Sequence, residues 1–135
     1  MVGMDEKVRL LKDEGLTDDE ITVTKDRIVE TEDGFISYRM ENGLPYITHA
    51  MVYPASRKSW VWLDIVNRFE QEIASEGHEL YIAEVIGKKG FFRKMLRFLG
   101  ADRPYAVVGG ASYYLVRCGY GIRRLRRFQA AEASV

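Results

Sequence analysis

Val52-Tyr53-Pro54-Ala55-Ser56-Arg57 marks the point where the chain changes its period. Upstream, β-branched and aromatic residues come in short runs divided by turn signals. Downstream, Trp62, Ile65, Val66, Phe69 and Ile73 recur at the i, i+3, i+4, i+7 spacing of an amphipathic helix. Pro54 closes the last upstream run, and a proline cannot donate to a sheet ladder.

Working upstream, three strands are predicted: Ile21 to Glu30, Phe35 to Met40, and Pro45 to Tyr53. Glu32-Asp33-Gly34 and Glu41-Asn42-Gly43 are turn signals between them, too short for crossovers, so the three form an antiparallel meander. Met4 to Glu14 reads as a short helix stopped by Gly15. Working downstream, the helix from Ser59 ends at Gly77, and Leu80 to Ile86 is a mostly apolar, buried strand. A second helix buries Phe92, Met95, Leu96 and Leu99 and stops at Gly100. Tyr105 to Val108 and Ala111 to Cys118 flank the two-residue turn Gly109-Gly110. The order is β-β-β-α-β-α-β-β after a short helix. That is an α+β single domain, a mixed β-sheet flanked by helices.

Length and composition agree with one domain: 135 residues, 47% hydrophobic and 30% charged. No apolar run reaches the roughly 18–20 residues that a membrane span needs. The N-terminal residues lack the basic start and apolar stretch of a signal peptide. Cys118 is alone, which excludes an intrachain disulfide and a cysteine metal cluster. A cytoplasmic location is the expectation. The net charge of zero conceals an asymmetry: residues 1–42 carry twelve acidic and six basic side chains, whereas residues 88–127 carry eleven basic ones against Asp102 alone. Such a field attracts phosphates, whether of a nucleotide cofactor, a nucleic acid or another anionic partner. Equally, the two ends neutralise each other across the fold or across a homodimer.

The phrase Val52 to Arg57, followed by a long helix, resembles the GNAT superfamily of N-acyltransferases, in which a strand ends in a V-x-P-x-x-R-like phrase. Asp33-Gly34 is similar to that family's early hairpin, His78 to Val85 to its fifth strand, Phe92 to Gly100 to its next helix, and Tyr105 to Arg117 to its closing hairpin. The resemblance covers residues 26–118. Residues 1–25 are then an N-terminal helix and lead-in. Residues 119–135 are a basic tail, read either as a flexible arm or as a basic amphipathic helix. The resemblance implies transfer of an acetyl group from acetyl-CoA to an amine. It places cofactor binding on Arg57, Lys58, Ser59 and Trp60. No metal site is implied.

The family's cofactor loop has small residues where this chain has Trp60 and Trp62. Glycines there let backbone N–H groups at a helix start approach a pyrophosphate. The tyrosine that many members use to protonate the leaving thiolate aligns with Leu96, which has no proton to give. Glu84, on the buried strand, and His49, on the third strand, are the candidate bases; Tyr113 and Tyr114 are candidate acids on the closing hairpin. Each also has an ordinary structural reading. Met95-Leu96-Arg97-Phe98-Leu99-Gly100-Ala101 is similar to a helix ending in GNAT-like proteins of tailed phages. That resemblance implies an alternative: a non-catalytic GNAT-fold protein, phage-like, acting through protein or nucleic-acid contacts.

Overall fold

A computed structural model of the chain describes residues 1–57, 60–86, 90–101 and 103–133. The elements are α1 (Met4–Asp13), β1 (Arg27–Thr31), β2 (Gly34–Glu41), β3 (Leu44–Val52), α2 (Val61–Ser75), β4 (Leu80–Ile86), α3 (Gly90–Phe98), β5 (Ala106–Val108), β6 (Ala111–Arg117) and α4 (Tyr120–Ala133). One six-stranded sheet runs in the order β1-β2-β3-β4-β6-β5. All its pairings are antiparallel except β3 with β4.

The meander is held by the turns its sequence calls for. Asn42 and Gly43 have φ of 52° and 80°, the left-handed pair that matches the twist of a two-residue hairpin. Gly34 serves a different need, which is space: a Cβ there would sit 2.0 Å from the Met51 carbonyl oxygen. The predicted first strand starts later than its β-branched run. Val23–Lys25 form a 3₁₀ turn, and β1 begins at Arg27. Tertiary contacts override propensity here: Val23 is fully buried beneath α1, and the Asp26 carboxylate accepts the Thr22 and Thr48 hydroxyls at 2.7 and 2.6 Å.

Thr48 is the extra residue of a bulge in β3, because Ser37 faces His49 while Tyr38 faces Ile47. A bulge shifts the in–out alternation by one. Ile47 and Ala50, three residues apart, consequently pack against the same core as α2. Met51 points to the opposite core, under α1. Bulges also bend a strand, and β3 pairs with β4 only at Tyr46–Ile82 and Ile47–Ala83 before the two part.

The main core lies between the sheet and α2, α3 and α4, around Phe69, Tyr81, Leu63 and Val116. The second lies under α1 and is pinned by Lys7. Its ammonium donates to Glu30 at 2.9 Å and to the Val2 carbonyl at 2.6 Å, and Tyr53 donates its hydroxyl to Glu30 at 2.5 Å. Burial alone would raise the Glu30 pKa, but those hydrogen bonds outweigh it and hold the carboxylate below its ordinary range. Residues 120–133 of the basic C-terminal segment are helical, with Gly121 set against Leu63 and Leu99.

Glu70 joins these layers. Only 4% exposed on α2, it accepts the Tyr81 hydroxyl at 2.5 Å and the Gly119 N–H at 2.8 Å, where β6 turns into α4. Burial raises its pKa, against the pull of Tyr81, Gly119 and Arg123. A carboxyl raised in the folded state contributes stability that is fully present below its unfolded pKa of about 4.3 and is lost as pH rises through the folded value. Glu70→Gln should therefore flatten part of the stability-versus-pH profile above about pH 4.3. Glu70→Leu, which leaves the buried Tyr81 hydroxyl and the half-buried Gly119 N–H unpaired, should cost about 3 kcal/mol. Urea unfolding at a series of pH values measures both.

Candidate functional site

Where β3 and β4 part, a cavity of about 720 Å3 opens beside the start of α2. Its walls are Phe35 and Ile36 of β2, Ala50, Met51 and Val52 of β3, Ile65 and Val66 of α2, and Phe92 and Met95 of α3. Trp60, Trp62, Arg57 and Glu14 complete the described lining. The β3 residues in its wall lie past the bulge and past the last pairing with β4. The first backbone N–H groups of α2 have no partner within the helix and carry the positive end of its dipole, which suits an anion.

The cationic side of this opening is already engaged. Arg57 follows the 3₁₀ turn Pro54–Ser56, donates from Nε to the Val52 carbonyl at 3.1 Å, and pairs through Nη2 with the Glu14 carboxylate at the end of α1. Lys58 and Ser59, the other sequence candidates for phosphate binding, lie outside the described residues.

Trp60 caps α2 with φ 70°, a left-handed backbone that favours glycine. The residue in this glycine-like backbone is a tryptophan. Two residues apart within one helix, Trp60 and Trp62 would point in different directions. Trp60 instead lies outside the helix, and the two ring centroids are 6.4 Å apart. Both rings meet Phe98 of α3, at 5.0 Å and 5.9 Å, and Phe98 in turn stacks with Phe128 of α4 and lies under the Arg124 guanidinium. Trp60 remains 45% exposed.

The two candidate bases do not lie together, and neither lines the cavity. Glu84 is half-buried on β4, on the sheet face opposite α2, and accepts the Tyr46 hydroxyl. Burial, reinforced by that bond, holds the Tyr46 hydroxyl protonated well above its usual range. Tyr113 faces Glu84 across the β4–β6 ladder. His49 is buried beside the 3₁₀ turn, and its Nε2 accepts the Thr22 N–H at 3.1 Å. Burial lowers its pKa, opposed by Asp26, so the ring is neutral. Tyr114 and Leu96 are both buried in the main core. Glu14, Tyr46 and the apolar walls went unread in the sequence, since Glu14 reaches Arg57 across 43 residues and only the tertiary fold brings them together.

Among the described residues, no group of three or more His, Cys, Asp or Glu could hold a metal ion. Nor is any helix among them long and apolar enough to cross a membrane.

Solved structures share this arrangement of sheet and helices. A GNAT-family acetyltransferase from Listeria monocytogenes 4b F2365 matches with a TM-score of 0.59 at 15% identity, over 84% of each chain. A proposed acetyltransferase from Agrobacterium tumefaciens matches with a TM-score of 0.50 at 14% identity, over 87% of this chain and 95% of its own. At such identities the likeness is one of fold, and the chain has the GNAT fold. No protein-family model and no curated protein matches the sequence.

The left-handed backbone at Trp60 can be tested on its own. An L-residue there carries about 1–2 kcal/mol of strain that glycine escapes. Trp60→Gly should therefore be more stable than Trp60→Ala by about 1 kcal/mol, the reverse of their order in an ordinary helix. Equal urea midpoints would contradict that conformation.

Proposed function

We propose that this chain is an N-acyltransferase that takes an acyl group from a CoA thioester, acetyl-CoA being the donor its resemblance implies, and passes it to an amine. One observation carries the reading: in a chain of this fold, a cavity walled by the end of β3, past its last pairing with β4, opens at the start of α2 with an arginine at its mouth.

Arg57 and the first turn of α2, with Lys58 and Ser59, are the groups to hold the donor's phosphates. Arg57 must exchange the Glu14 carboxylate for a phosphate to do so. Trp60 narrows the approach but leaves the backbone donors in place. Beyond Ile47, where the ladder to β4 stops, the β3 main chain provides amide and carbonyl groups for a polar arm. The bound thioester supplies an electrophilic carbonyl carbon: a C–N bond to the amine forms there, the C–S bond breaks, and CoA leaves as the thiolate. Glu84, half-buried next to Tyr46, is the candidate base for an amine that reaches the thioester from the sheet face opposite α2, whereas the Nε2 lone pair of His49 is already committed to Thr22. The proton lost by the amine passes to Glu84 and on to solvent. With Leu96 in the position of the family's acid, water protonates the thiolate.

Thermal melting with acetyl-CoA tests the reading. At 100 times its dissociation constant the donor should add about 2.7 kcal/mol, a rise in Tm of roughly 5–10 °C. No shift at millimolar donor would sink the proposal and leave the non-catalytic alternative. Glu14→Gln removes a half-exposed competing carboxylate, worth roughly 0.2–1 kcal/mol, and should tighten donor binding by about 1.4- to 5-fold. Calorimetric titration measures that change.

A further inference from the structure

We infer that the surface formed by α4 and the end of α3 binds single-stranded nucleic acid, at a site separate from the donor cleft.

The fold leaves the charge of this surface unbalanced. Lys94 and Arg97 of α3 and Arg127 of α4 are exposed, and no described acidic side chain pairs with any of them. The acidic groups of the N-terminal segment are engaged elsewhere: Glu6 and Asp13 pair with Arg9, and Glu14 pairs with Arg57. Arg124 joins the two helices by donating to the Arg97 and Phe98 carbonyls at 3.3 and 3.5 Å, so α4 lies against the last turn of α3. Lys94 sits four residues before Phe98, on the same side of α3.

Aromatic rings lie among these cations. Tyr120, Arg124, Arg127, Phe128 and Ala131 line one open groove, a single stripe along α4. Tyr120 is 38% exposed and Phe128 51% exposed. Both rings are nonetheless held in place. Phe128 stacks on Phe98 at 6.4 Å and 19°, and Tyr120 lies over Gly100, where a Cβ would be 3.0 Å from its ring. Eight residues of helix set the two rings about 12 Å apart along the axis, with Arg124 and Arg127 between them.

Held rings alternating with guanidinium groups suit a single strand. Arginine meets phosphate oxygens in pairs, and every base has a face that stacks on an aromatic ring. A lipid surface suits α4 less well, because it needs an apolar stripe facing outward. Gly121 is buried against Leu63 and Leu99, and Leu125 packs on the main core. A duplex keeps its bases stacked on one another, so the open rings would gain nothing from it.

The experiment is a fluorescence-anisotropy titration of the intact protein against labelled oligothymidylate and oligouridylate of about 15 nucleotides, over a series of salt concentrations. A dissociation constant on the order of 10 μM is expected near physiological salt, rising steeply as salt is added. Binding by one strand alone would identify the sugar that the surface accepts. Lys94→Ala combined with Arg127→Ala removes two phosphate contacts and should make the slope of log affinity against log salt shallower by about 1.4. Phe128→Leu removes a ring but no charge, and should weaken binding about 5-fold or more at an unchanged slope. The double variant alters only exposed side chains, so it remains informative if Phe128→Leu loosens the stack on Phe98. Failure of both strands to bind at about 50 mM salt would overturn the inference. Unchanged affinity in both variants would overturn it as well. So would a duplex or polyglutamate binding as tightly as the single strands, since the surface would then respond to charge alone. Displacement of the strand by saturating CoA would assign these cations to the donor and end the claim of a separate site. None of these outcomes alters the melting test of the N-acyltransferase reading.

Discussion

A single surplus residue in β3 organises much of this molecule. Because Thr48 is bulged, its hydroxyl is free to meet Ser37 at 2.8 Å and Asp26 at 2.6 Å, and that small polar cluster fixes the strand's bend. The bend has two effects at once. It transfers Ala50 and Val52 to the α2 side of the sheet, and it ends the parallel ladder to β4 after two residue pairs. A regular β3 would keep pairing, and the sheet would close over the space that the cavity occupies. The chain thus gives up several main-chain hydrogen bonds along β3 to obtain a cleft.

Much of the architecture is legible in the sequence because local signals agree with one another. The turn residues Asn42-Gly43 and Gly109-Gly110, the helical spacing from Trp62 to Ile73, and the apolar run Leu80 to Ile86 each specify one element without outside help. What could not be read depends on contacts between distant segments. Val23 leaves its β-branched run because a core position beneath α1 requires it. The bulge leaves no signature, since Thr48 is an unremarkable strand residue until its alternation is compared with that of β2. Trp60 is the most instructive case. Its spacing from Trp62 implied divergent rings, and only a left-handed φ brings the indoles together on Phe98.

The candidate site divides along the same line. Arg57 and Trp60 were found because they sit in a local phrase with a recognisable pattern, and they do line the cavity. Glu84 and His49 are candidates by residue type alone, and three-dimensional surroundings distinguish them: one carboxylate half-open beside a tyrosine, one imidazole sealed against a backbone amide. Glu14 lies at the end of a helix outside the segment with family resemblance, yet it pairs with Arg57 at the cavity mouth. Its placement makes the N-terminal helix a part of the site.

The aromatic cluster at the cavity mouth also has an optical consequence. The chain contains two tryptophans, Trp60 and Trp62, and both line this one opening. The intrinsic tryptophan emission of the protein therefore originates entirely at the cleft, from two indoles in contact with each other and with Phe98. The protein carries its own spectroscopic probe at the place where a ligand would enter, with no label required.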